Sequence, residues 1–135
     1  MKPVEFPAFR GKSIDERGLT VKRSNYTNVV SNVTGLYPAT VDDIYRPGTV
    51  AQLQWMLRQS DKPVSVGGGR YSMGGQIGHE GSLHIDMRGI NRVLDIDPDN
   101  KTVRVEAGAT WRDIQLAIDR YDLSVSIMQT YANFS

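Results

Sequence analysis

Seven of the chain's thirteen glycines fall between residues 67 and 81, and ten of those fifteen positions, 67–76, read Gly-Gly-Gly-Arg-Tyr-Ser-Met-Gly-Gly-Gln. The run directly follows the apolar stretch Pro63-Val64-Ser65-Val66. Glycine admits positive φ and lets main-chain N–H groups come close to a ligand. Successive N–H groups curved around a concavity bind an anion, most often a phosphate. The chemistry on offer is therefore phosphate recognition at the end of a strand, and a purely structural turn is the competing reading.

Spacing narrows the choice of loop. A Walker loop needs Gly-Lys followed by Ser or Thr, and no lysine stands between Lys62 and Lys101. A Rossmann fingerprint needs a third glycine where Ser72 stands, followed by a long amphipathic helix. Here Ser72 is followed by Met-Gly-Gly-Gln-Ile-Gly-His-Glu-Gly, a poor helix former. The loop points to a different nucleotide-binding fold, with a plain structural turn still open.

The elements around it must position it. Residues 1–35 lack clear periodicity and read as an N-terminal arm. A short strand is expected at 41–45. Pro47-Gly48-Thr49 then opens a helix, with Gln52 at capping-box spacing from Thr49 and an apolar stripe of Val50, Leu53 and Leu57. With the strand at 64–66 this makes a βαβ unit, whose two strands run parallel. The glycine loop then sits at a strand's carboxyl end, where ligands collect in open α/β sheets.

Downstream, Leu83, Ile85 and Met87 alternate along another strand. The runs 93–97 and 103–107 flank Pro98-Asp99-Asn100-Lys101, a hairpin signature. Thr110 and Asp113 open a second helix with the stripe Trp111, Ile114, Ile118 and Tyr121, which reads as core. A last extended piece covers 123–128.

Composition bounds the function. The 135 residues suit one domain with its own core. Sixteen basic and fifteen acidic residues, interspersed to a net charge of +1, argue against a nucleic-acid or membrane-surface partner. With no cysteine there is no disulfide, iron–sulfur cluster, thiolate nucleophile or cysteine-tethered cofactor. The opening residues carry no signal-peptide core and no apolar run has transmembrane length, so a cytoplasmic location is expected. Asn25-Tyr-Thr, Asn32-Val-Thr and Asn133-Phe-Ser fit the glycosylation pattern and read as chance matches. His79 and His84 make a poor metal pair, and Asp86, Asp95, Asp97 and Asp99 lack calcium-loop spacing, so no metal is expected.

Taken in order, the Pro-Gly-Thr helix, Val-Ser-Val strand, glycine loop, His-Ile-Asp-Met strand, hairpin and Glu106-Ala-Gly-Ala-Thr-Trp111 segment resemble a known domain. It is the FAD-binding domain of the vanillyl-alcohol oxidase and p-cresol methylhydroxylase superfamily. The nearest likeness is to the sugar, polyol and sugar-lactone oxidase branch, the decaprenylphosphoryl-ribose oxidase type included, and it covers residues 36–135.

The resemblance implies an α+β fold in which a βαβ lobe and a second, strand-rich lobe hold FAD between them. It implies FAD contacts from Gly67, Gly68, Gly69, Arg70, Tyr71 and Ser72, then Gly75 and Gln76, with Thr130 near a second cofactor segment. An arginine in a loop is more often a solvated surface residue than a ligand contact, and Tyr71 could stack on the flavin or simply pack. Many relatives have Gly-His-Ser where this chain has Arg70-Tyr71-Ser72, and that histidine is bonded to the flavin. Tyr71 cannot form that bond, so non-covalent FAD is expected.

The implied protein is an FAD-dependent oxidoreductase acting on an alcohol carbon of a sugar, polyol or lactone-like small molecule. The flavin carries the hydride chemistry, and no catalytic residue is nominated within these residues. The family continues into a Val-Gly-Gly run and a substrate domain, so the chain reads as the first part of a flavin domain, inactive by itself. The alternative is a non-catalytic, truncated or degenerate flavin- or nucleotide-binding module.

Overall fold

The computed structural model describes residues 13–14, 20–23, 28–128, 130 and 132. The opening ten residues, Asn25 and Asn133 lie outside them. Helix makes up 26% and strand 24%, the α+β mixture that the sequence implies.

The strands are β1 (Ser13–Ile14), β2 (Thr20–Arg23), β3 (Val29–Val30), β4 (Ala39–Thr40), β5 (Asp43–Arg46), β6 (Val64–Gly67), β7 (Leu83–Asp86), β8 (Val93–Asp97) and β9 (Thr102–Val105). Two α-helices, α1 (Val50–Gln59) and α2 (Trp111–Ile118), interrupt them. The main sheet is five-stranded in the order β1-β2-β5-β7-β6. Its β1–β2 and β2–β5 pairs are antiparallel, whereas β7 runs parallel to both β5 and β6. The two strands of the βαβ unit are therefore parallel, as expected, with β7 inserted between them. All four residues of β7 are buried, which suits a central parallel strand covered on both faces.

Register explains the two cores. Tyr45, Leu83 and Ile85 project to one face and join Met56 of α1, with Leu53, Trp55 and Met87 packed around them. Ile44 projects to the other face and joins Val30 and Val41, with Ile77 against them. The segment before residue 36 thus supplies Val30, fully buried, to the second core.

Helix α1 starts as its cap signals: the Thr49 hydroxyl accepts from Gln52 N at 3.2 Å. The Gln52 side chain turns to Gly48 N at 2.7 Å, so the reciprocal half of the capping box is not made. The helix buries Gln52 and Met56. Val50 and Leu57, expected in the stripe, are exposed, and the face that packs on the sheet carries Leu53 and Met56 instead. The strand expected at 41–45 forms as β5 from Asp43 onward, since Val41 N bonds Asn28 O and Asp42 N bonds Ser82 O outside the ladder.

The hairpin of β8 and β9 forms as expected, with a register shift between Val93 and Asp95. Its base is locked by Glu106, whose carboxylate takes Arg92 N at 2.8 Å and the Arg92 guanidinium at 2.7 Å. Gly108 N bonds Ile90 O, and a Cβ at residue 108 would collide with the Met87 and Ile90 carbonyls, so only glycine fits there. The capping box of Thr110 and Asp113 is complete. Along α2, Ile114 and Ile118 are buried and Trp111 is half-buried, but Tyr121 is exposed. The helix ends at Ile118 in a tighter 3-10 turn, which swings Tyr121 off the stripe and under the Arg120 guanidinium, 5.0 Å from the ring centroid. Among the described residues, 123–128 pair with no strand.

Ile85, 1% exposed, joins the α1 face to β7, the strand that borders the glycine loop's own strand. Ile85→Ala is expected to cost about 2–5 kcal/mol in denaturant unfolding followed by far-ultraviolet circular dichroism. A loss below about 1 kcal/mol would show that this strand is not the centre of the fold.

Candidate functional site

The glycine run begins as β6 ends. Gly67 is still paired, in register with Asp86, and is buried. Gly68, Gly69 and Arg70 follow, half-buried, and among the described residues their main-chain N–H groups donate to no acceptor. Free donors in succession are what an anion cradle requires, because a donor already bonded within the protein cannot serve a ligand.

The expected positive φ falls on Arg70 (φ 64), with neither Gly68 nor Gly69 in that region. A left-handed non-glycine residue costs on the order of 1 kcal/mol and persists where its surroundings hold it. The hold here is Val33 N, which donates to Arg70 O at 2.9 Å.

The far limb of the loop is held by a residue the sequence reading left aside. Asn32, 7% exposed, donates both hydrogens of its side-chain amide, to Ser72 O at 2.7 Å and to Gly74 O at 2.8 Å. Its Oδ1 accepts from the Thr34 hydroxyl at 2.8 Å. The Asn32-Val33-Thr34 triplet is thus a clamp, with no amide hydrogen left for a glycan. Its only sequence signal was the glycosylation pattern, which pointed elsewhere.

The remaining expected residues sort clearly. Ser72 and Gln76 come together, the Ser72 hydroxyl donating to Gln76 Oε1 at 2.7 Å. Gly75 opens the 3-10 turn Gly75–Ile77, and a Cβ there would stand 3.0 Å from Tyr37 Cβ. Tyr71 is 38% exposed. Thr130 is exposed, and among the described residues no hydrogen bond links it to the loop.

Beneath the loop lies His84, fully buried. Its Nδ1 is 2.9 Å from Ser65 Oγ, which lies 2.7 Å from Ser82 Oγ. Burial, reinforced by the positive charge of Arg70, pushes the imidazole pKa down from 6.5 to about 4. Arg70 therefore places a cation within electrostatic reach of the loop's floor. Beside it, burial opposes ionisation of Asp86, but hydrogen bonds and charge from Arg88 hold its carboxyl below the usual range. Asp86 also caps the 3-10 turn Met87–Gly89 through Arg88 N. Among the described residues no cluster of three or more His, Asp or Glu could hold a metal. No described helix is long and apolar enough to cross a membrane.

A phosphate-competent loop at the carboxyl end of a parallel strand agrees with what the chain is similar to. The profile of the FAD binding domain matches residues 41–133. The chain belongs to this FAD-binding family. FAD is its cofactor class, and the free donors beside Arg70 fit an anionic dinucleotide. Among characterised proteins, the L-gulonolactone oxidase of Mus musculus is 33% identical over 93 residues, covering 67% of this chain and 21% of that oxidase. The L-gulonolactone oxidase of Bos taurus is 34% identical over 85 residues, covering 61% of this chain and 19% of that oxidase. The chain thus spans about a fifth of the length of the curated relatives it matches.

Two outcomes test this geometry. Asn32→Ala leaves the Ser72 and Gly74 carbonyls without their donor, at a cost of about 1–3 kcal/mol in unfolding. FAD affinity is expected to fall with it, and wild-type values for both would contradict the clamp. The second outcome concerns acid. Unfolded His84 takes a proton near pH 6.5 but folded His84 only near 4, so between them the unfolded state binds more protons. Stability should therefore fall with falling pH across that window, by at most about 1.4 kcal/mol per pH unit. His84→Asn should flatten this slope in denaturation curves at stepped pH, and an unchanged slope would show that His84 is not its source.

Proposed function

We propose that this chain supplies the pyrophosphate-binding part of the FAD site in an FAD-dependent oxidoreductase that oxidises an alcohol carbon. One observation carries the reading: the consecutive N–H groups of Gly68, Gly69 and Arg70, free among the described residues, stand at the carboxyl end of a parallel strand. A pyrophosphate dianion is well met by several such donors, because hydrogen bonds to an ion are about twice as strong as neutral ones. Gly67, Tyr71, Ser72, Gly75 and Gln76 shape the rest of the cradle, and Thr130 belongs to its outer part. When bound, the flavin supplies the hydride-accepting chemistry, while the chain binds and orients it.

The substrate in this reading is a sugar, polyol or lactone. The two relatives carry lactone oxidation in their names, which supports a sugar-lactone over other alcohols. The flavin is held without a covalent bond, since Tyr71 stands at the position matching the tethering histidine. Of the chain's two histidines, His84 is fully buried and so is no ready substitute.

In the full-length protein, Gly69→Val puts a branched side chain among the donors and disfavours close backbone approach. FAD affinity should fall about tenfold or more, as titration of flavin fluorescence would read. An unchanged affinity would remove the loop from the site. Acid precipitation of the wild-type protein should release its yellow flavin into the supernatant, whereas colour kept in the washed pellet would establish a covalent tether. Turnover with a panel of sugar lactones and polyols separates an oxidase from a flavin-binding module without catalysis.

A further inference from the structure

Across the face of the sheet opposite α1, Ile44, His84 and Ser65 lie side by side in register. His84 is the middle residue of this row and has no exposed surface. Its ring is tied sideways, Nδ1 to Ser65 Oγ and from there to Ser82 Oγ. Its other nitrogen, Nε2, is buried and has no hydrogen-bond partner among the described residues. What faces Nε2 is the start of the glycine loop: a Cβ on Gly67 would stand 2.9 Å from Nε2 and 3.0 Å from Cε1.

Two proton arrangements satisfy the Ser65 contact. With the proton on Nδ1, the ring donates to Ser65 Oγ and leaves a bare lone pair at Nε2, facing the Cα–H of Gly67. With the proton on Nε2, a buried N–H has nothing to donate to. Orphaned buried donors are rarer and costlier than under-used acceptors. A Cα–H also makes a weak favourable contact with a lone pair but not with an N–H. The first arrangement therefore holds.

We propose that His84, as the Nδ1–H tautomer, is a positioning residue for the phosphate loop: its bare Nε2 edge is the seat on which Gly67 lies. The bond to Ser65, on the strand that carries the loop, stops the ring from swinging. Gly67 is therefore fixed at one height, and that height sets where the free N–H groups of residues 68–70 begin. The seat also explains why residue 67 is glycine although its φ is not positive. The consequence for ligand binding rests on the FAD reading above, whereas the seat itself does not.

The test is a double-mutant cycle in the full-length protein with Gly67→Ala and His84→Ala, each protein titrated with FAD well below its unfolding temperature. Gly67→Ala alone should weaken FAD binding about tenfold, because its new methyl group meets the imidazole. In the His84→Ala background the same change should cost less than about threefold. Equal losses in both backgrounds would overturn the proposal. Thermal midpoints of the four flavin-free proteins should show the same non-additivity. If even the wild type fails to bind FAD, the FAD reading fails and these midpoints alone decide the seat. Nitrogen-15 shifts of the wild-type His84 ring give a readout that needs no variant to fold: at neutral pH, Nδ1 should report a proton and Nε2 none. A protonated Nε2 would overturn the proposal.

Discussion

A loop can offer its main-chain N–H groups to a ligand only if something else holds it open, and here the holding is done through its carbonyls. Asn32 ties down Ser72 O and Gly74 O, and Val33 N ties down Arg70 O. Each bond uses an acceptor and spares a donor. The loop keeps a defined path while Gly68, Gly69 and Arg70 keep their N–H groups free among the described residues. This division of labour also explains why Arg70 can remain at positive φ: its carbonyl is anchored, so the local strain is set against an external hydrogen bond.

The clamp in turn depends on the second core. Val30, two residues before Asn32, is packed with Val41 and Ile44 on the sheet, and β3 pairs with β4. The other side of the loop depends on the parallel strands, where the buried His84 row underlies Gly67. The glycine run is thus gripped between two rigid pieces far apart in sequence. A buried polar row would be costly if left unpaired, so the His84–Ser65–Ser82 chain has to be satisfied along most of its length.

Much of this was legible in the sequence wherever the signal is local. Glycine density announced the loop, the Pro-Asp-Asn-Lys turn announced the hairpin, and Thr110 with Asp113 announced a capping box that is present in full. What stayed hidden is what acts over distance or through one competing bond. The Asn32 clamp spans 40 and 42 residues, which no periodicity reveals. In α1 the packing against the sheet fell to Leu53, Trp55 and Met56, which left Val50 and Leu57 facing solvent. Tyr121 left its helical stripe because the helix tightened one turn before it. His84 looked like a poor metal ligand from its spacing to His79, and only the sheet register shows it as the floor of the loop.

Whether these spared donors receive the dinucleotide's pyrophosphate is decided by a crystal structure of the full-length protein with FAD bound. Pyrophosphate oxygens should lie within hydrogen-bonding distance of the N–H groups of Gly68, Gly69 and Arg70, with the Asn32 bonds to Ser72 O and Gly74 O kept. FAD bound with its pyrophosphate elsewhere, and those N–H groups turned to water, would contradict it.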